Sequence, residues 1–163
     1  MKLLGAGLLL CTGVLAGCAA ARRLERRAAL LRLLRRLLTE MMQELADTLP
    51  LTAELLKHLA ANPLFLPLQF LQEAATEADH FPQSWQNAVN RDTALPADAA
   101  SVLVTVGQTL GSMPLEGQLA ALRLCLERLG TLQTEAETRA AEKGNLCRSM
   151  GILGALFFTI LLL

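Results

Sequence analysis

An uncharged stretch of nineteen residues, 3–21, opens the chain, and four arginines follow it within the next six residues. As a helix this stretch is roughly 28 Å long, which is close to the hydrocarbon thickness of a bilayer. It also contains Gly13 and Gly17 at the spacing that lets membrane helices approach closely. The sequence therefore predicts a transmembrane helix over residues 1–21.

A second apolar run, 150–163, closes the chain, and beginning it at Asn145 brings it to spanning length. Both runs carry their positive charge on the side of the middle segment. Arginine and lysine beside a span are retained in the cytoplasm. We therefore predict spans at 1–21 and 145–163, a cytoplasmic domain at 22–144, and a headgroup-level set of basic residues: Arg22, Arg23, Arg26, Arg27, Lys143 and Arg148.

The tetrapeptide Leu15-Ala16-Gly17-Cys18 permits a different interpretation, because it has the form of a bacterial lipobox. Cleavage before Cys18 would make the chain an exported lipoprotein adaptor, lipidated at that cysteine. The arginines after residue 21 oppose this, since they would have to cross the membrane early. A lipoprotein also has no need of a hydrophobic C-terminal tail. Both interpretations stay open, and the uncleaved anchor is preferred.

The charge is unevenly distributed although the net charge is zero. Residues 1–36 carry eight basic residues and one acidic residue, whereas the remainder carries seven basic and fourteen acidic residues, giving +7 and −7. A basic block beside an apolar segment is typical of contact with anionic lipid. The chain has no tyrosine, one tryptophan and no phosphate-binding glycine loop, so nucleic acid is not an expected partner.

The middle segment is predicted to be all-α. Apolar residues recur at steps of three and four in two long segments, which predict two long helices continuous with the two spans. Both helices must enter the bilayer from one side, so they are expected to pack antiparallel in a bundle. Shorter helices are predicted at 52–61, 64–78, after Trp85 and at 97–110, although the β-branched run 101–106 leaves a strand open.

Side chains that carry chemistry are sparse. Glu54 and His58 lie four residues apart on one predicted helix, and His80 follows Asp79 in a turn. One such pair is a weak signal for a metal or for acid–base catalysis. No Cys-x-x-Cys pair occurs among the four cysteines. The sequence thus predicts no catalytic residue, no metal and no cofactor; a membrane-bound enzyme would have to use His58, His80 and scattered acids.

Five stretches, taken in order and spacing, resemble the stage III sporulation protein AB family of endospore-forming bacteria. They are the opening Lys2-Leu3-Leu4-Gly5-Ala6, the segment Arg35-Arg36-Leu37-Leu38 with Glu40, Glu44, Leu49-Pro50-Leu51 and Leu55, then Trp85, then Gly107-x-x-Leu110-Gly111 with Gln118, and finally Asn145-x-x-Arg148-Ser149-x-Gly151. The arginine-rich first helix departs from the family, which has more glutamine and proline there, and so does Cys18.

The resemblance implies a component of the assembly that links mother cell and forespore, required for spore formation. Such proteins are similar to the platform proteins of type II secretion and type IV pilus machines, which are helical and work beside a cytoplasmic ATPase. The implied location is the mother-cell membrane around the forespore. The implied partners are other channel proteins and the ATPase, and the resemblance leaves open whether the protein forms a homo-oligomer. The resemblance brings no catalytic residues. Its motifs nominate Gly107, Leu110, Gly111, Gln118, Asn145 and Arg148 as positions that serve either partner binding or folding.

Overall fold

A computed structural model describes the backbone of residues 2–48 and 51–162 and the side chains of residues 22–48 and 51–142. Every regular element in this part of the chain is a helix and none is a strand, which confirms the all-α prediction. Single 3₁₀ turns lie at Pro63–Phe65 and Ala78–His80. The helices are α1 (Lys2–Thr48), α2 (Thr52–Ala61), α3 (Gln69–Thr76), α4 (Gln83–Arg91), α5 (Ala97–Thr109) and α6 (Leu115–Leu162).

The two predicted membrane spans, 1–21 and 145–163, lie outside the residues whose side chains are described. Helices α1 and α6 continue through most of these segments as unbroken helix. Among the described residues, no helix combines the length and the apolar character needed to cross a membrane. The spans therefore stay a prediction.

The chain divides into two compact units. One comprises Leu30–Gln133, and the other comprises Met1–Ala29 with Thr134–Leu163. In the first unit the predicted apolar stripe of α1 is buried: Leu31, Leu34, Leu38 and Met41 have no exposed surface, and Leu45 has 6 %. This face provides one wall of a core completed by α2 to α5. Burial of such side chains is the main favourable contribution to folding.

Helix α6 also contributes an apolar face to the core, in which Leu122 and Leu129 are fully buried. Cys125 lies between them and is also buried, a position that the leucine periodicity alone did not single out. Burial raises the pKa of the Cys125 thiol, and the nearby Arg128 guanidinium opposes this only partly. The thiol is therefore held in its neutral form inside the helical core.

Two contacts within the first unit show that α1 and α6 run in opposite directions there. In the last third of α1, Nη1 of Arg35 donates to Oε1 of Gln133 of α6 over 2.9 Å. Further along the chain from Arg35, Thr52 follows α1 and lies against Gly111, which precedes α6.

The shorter helices confirm the prediction for residues 52–61 and correct two others. Helix α2 occupies the predicted residues 52–61. It ends before Asn62, which precedes Pro63 and whose side-chain oxygen accepts a hydrogen bond from the Leu64 N–H. The single helix predicted over 64–78 is wrong. A 3₁₀ turn replaces its start, and α3 begins only after Pro67, because proline lacks an N–H and disfavours helix in the residue before it. The strand alternative at 101–106 is also wrong, because α5 contains it.

Candidate functional site

Trp85 of α4 organises the core beneath the family-motif glycines. Its side chain has no exposed surface, and its indole Nε1 donates to the backbone carbonyl of Leu103 in α5 over 2.7 Å. The ring meets Phe70 edge-on with centroids 5.3 Å apart, and Phe81 with centroids 6.3 Å apart. Aromatic pairs at this separation add to the stabilisation from burial. Trp85 thereby joins α3, α4 and α5.

Gly107 permits this arrangement because it has no side chain. A Cβ built at Gly107 would collide with Cδ1 of Trp85 and would lie 3.0 Å from its Nε1. Glycine in a helix interior otherwise weakens the helix. The motif position Gly107 is therefore explained by helix packing, and it is itself buried.

Gly111 has a different role, since it forms the turn that leaves α5. Its φ angle of 72° lies in the left-handed region that residues with a Cβ rarely adopt. The side chain of Gln118 closes the turn. Its Oε1 accepts from the Gly111 N–H over 3.1 Å, and its Nε2 donates to the Met113 carbonyl over 2.7 Å. The motif residues Gly111 and Gln118 are thus partners in one capped turn.

Next to this turn lies an open groove of about 470 Å³, here called the α2–α5 groove. Its apolar floor includes Leu110, Phe81 and Ala78, and its rim is mostly polar. Leu51 stands at one side with 72 % of its surface exposed, the highest value among the exposed large apolar side chains of the described residues. The lining residues are Leu51, Thr52, Ala53, Ala78, Asp79, Phe81, Pro82, Gln108, Leu110, Gly111 and Ser112.

The groove belongs to an acidic part of the chain. Residues 37–122 carry ten acidic side chains and two basic ones, Lys57 and Arg91. Asp79 is the one charged residue that lines the groove, and its carboxylate is exposed and lies 3.8 Å from the Lys57 ammonium. Glu54 and Glu77 adjoin lining residues in sequence and are exposed. A partner that meets this rim would encounter negative charge.

The Glu54/His58 combination, a weak candidate from the sequence, is not formed. Nδ1 of His58 instead lies 2.9 Å from Oε1 of Glu44 on α1, and the His58 side chain is 76 % exposed. His80 ends a 3₁₀ turn on the surface. Across the described residues, no group of three or more His, Cys, Asp or Glu side chains is placed to hold a metal ion. The contact between α1 and α2 at His58 is a solvated surface pair.

The other predicted site residues divide between the described and undescribed parts of the chain. Arg22, Arg23 and Arg26 are exposed on α1, and Arg27 is half-buried. Lys143, Asn145 and Arg148 lie outside the residues whose side chains are described. The sequence did not predict that Leu51 and Asp79 line the same groove. Leu51 belongs to a motif, but nothing in the sequence places it beside a turn 28 residues further on.

Comparison with curated proteins found no match, and neither did comparison with solved structures. A scan against protein-family models matched stage III sporulation protein AB over residues 2–163. This match supports a sporulation role, and the family is not a known enzyme family. The match extends over the long helices and the short helices between them. The chain therefore belongs to the stage III sporulation protein AB family.

Proposed function

We propose that this protein is a non-enzymatic membrane platform component of the mother cell–forespore channel, a secretion-like complex required for spore formation. The family match over residues 2–163 carries the proposal. In it, spans at 1–21 and 145–163 anchor the protein in the mother-cell membrane around the forespore. The helical domain between them lies on the cytoplasmic side, where a secretion-type ATPase and other channel proteins bind it.

The charge of the helical domain supports a protein partner of this kind. The acidic excess over residues 37–122 gives a surface that attracts a basic partner and orients it on approach. The arginines at the start of the domain suit anionic headgroups instead. The role of the protein in this proposal is to position its partner at the membrane.

Binding between the full chain, purified in detergent micelles, and the purified ATPase tests the proposal. We expect association at low salt that weakens steadily as ionic strength rises, because salt screens exposed charges. Replacing Glu54 and Glu77 by glutamine should weaken it. The matched control is Glu135→Gln in α6, which removes a carboxylate that pairs with its own neighbour Arg139. Absence of any association at low salt would rule out the ATPase contact.

A genetic test addresses the sporulation role without assuming a partner. Deleting the gene from its sporulating host should abolish most heat-resistant spores, and a copy encoding the full chain should restore them. A deletion strain that sporulates normally would contradict the requirement for spore formation.

A further inference from the structure

We propose that the α2–α5 groove is the docking site for a short segment of the partner ATPase that carries an aliphatic side chain next to a lysine or arginine. This inference rests on the proposed function and adds the surface and the chemistry of the contact. The aliphatic side chain lies on the groove floor against Phe81 and Leu110. The neighbouring cation lies at the rim beside Asp79.

The floor supports an apolar anchor. Ala53, Ala78, Phe81 and Leu110 contribute apolar side chains to it, and about 470 Å³ accommodates several residues of an extended segment. Leu51 projects beside it, with 72 % of its surface in water. Covering Leu51 and the floor removes apolar surface from water, which favours association.

The charge around the groove indicates which residue of the partner segment lies next to the aliphatic side chain. The lining contains one carboxylate, that of Asp79, and no basic side chain. Exposed Glu54 and Glu77 adjoin lining residues in sequence, within residues 37–122, which carry ten acidic and two basic side chains. Lys57 lies 3.8 Å from Asp79 at the exposed surface, where solvent and salt screen the pair. An incoming lysine or arginine therefore approaches an acidic part of the chain, which favours it over an acidic segment.

The groove is formed before the partner arrives. Gly111 and Gln118 fix the turn on one side through two hydrogen bonds. On the other side, Phe81 lies against the buried Trp85 ring. Because these walls are fixed by packing and hydrogen bonds, little ordering entropy opposes docking.

The first experiment places the photo-crosslinking residue benzoylphenylalanine at position 51 of the full chain in sporulating cells. Position 124 is the control, because Leu124 is also an exposed leucine, at 68 %. The proposal predicts a position-51 crosslink to an ATPase peptide that contains an aliphatic residue beside a lysine or arginine. A peptide of that composition from another channel protein would support the groove chemistry and refute the ATPase as its source. A crosslink to a second copy, a crosslink to an acidic segment, or no product beyond the position-124 control would overturn the groove proposal.

Binding measurements then test both halves of the contact. Leu51→Ser and Asp79→Lys should each weaken ATPase binding by about tenfold. The controls are Leu124→Ser, which removes an equally exposed leucine, and Glu73→Lys, which like Asp79→Lys breaks one exposed ion pair and reverses one charge. Equal losses in the controls, or none in the groove variants, would overturn the proposal. If the groove variants bind like wild type while wild type binds the ATPase, the groove fails and the platform role stands.

Discussion

The indole of Trp85 occupies the space that a side chain at Gly107 would need. Its Nε1 lies 3.0 Å from an ideal Cβ position at Gly107 and donates to the Leu103 carbonyl one helical turn earlier. Two residues that stand apart in the sequence are thus a single packing unit. This unit fixes α4 against α5 next to the wall of the α2–α5 groove.

Adding one methyl group at this contact should destabilise the domain. Gly107→Ala improves helix propensity by about 1 kcal/mol, but overpacking a filled core costs about 1–3 kcal/mol. We expect overpacking to prevail, because the atom that Cβ meets belongs to a fully buried ring with no room to move. Denaturant unfolding of the full chain in detergent, followed by Trp85 fluorescence, measures the loss.

Gly117→Ala is the matched control for that experiment. A Cβ at Gly117 would meet the sulfur of Met113 at 3.0 Å, but Met113 is partly exposed and its flexible side chain can turn aside. The gain in helix propensity should therefore make Gly117→Ala neutral or stabilising. Equal destabilisation by both substitutions would show that the Trp85 contact is not the cause.

The turn at Gly111 provides a second prediction. Gly111→Ala should lower the free energy of unfolding by about 1 kcal/mol or more, because an alanine is strained at φ 72°. Gly111→Asn should cost less, since asparagine tolerates the left-handed region. Parallel unfolding curves of the two variants give the comparison. If asparagine and alanine cost the same, backbone strain is not what selects glycine here.

The elements that sequence could predict are those set by local pattern. The apolar periodicity of α1 and the helix predicted at 52–61 depend on residues close together in the chain, and these predictions are confirmed. The start of α3 was missed because the restriction imposed by Pro67 outweighed the apolar pattern. The groove could not be predicted, because packing brings Leu51, Asp79 and Gly111 together from three separate segments.

The Cys125 thiol should be unreactive in the folded protein. Burial raises the pKa of this thiol, so its nucleophilic thiolate is scarce near neutral pH. Alkylation with iodoacetamide at pH 8, with the Cys125 peptide followed by mass spectrometry, should be slow in the native chain and fast after denaturation. Equal rates in the two states would contradict burial of the thiol.

The same shift makes a prediction about stability and pH. Since the folded-state pKa of Cys125 lies above its unfolded value, its contribution to stability is complete below the unfolded pKa. That contribution is lost as pH rises through the folded value. The Cys125→Ala variant, which has no thiol to ionise, should therefore lose less stability than the wild-type chain when the pH is raised into that range. Identical pH dependence of both unfolding free energies would contradict the assignment.

The histidines should be dispensable. His58 is mostly exposed and pairs with Glu44 at the surface, so His58→Ala together with His80→Ala should change the free energy of unfolding by no more than about 1 kcal/mol. Spore counts should match those of wild type. A loss of spores from a normally folded double variant would instead favour an enzymatic role for these residues.

The proposed platform role requires the helical domain to lie on the cytoplasmic side, and the intact mass of the chain extracted from membranes of sporulating cells tests this most directly. The account predicts a mass that includes residues 1–17 and no lipid, because the arginines after residue 21 keep this segment as an uncleaved anchor. A mass beginning at Cys18 with added lipid would place the domain outside. That result would remove the ATPase contact and contradict the account.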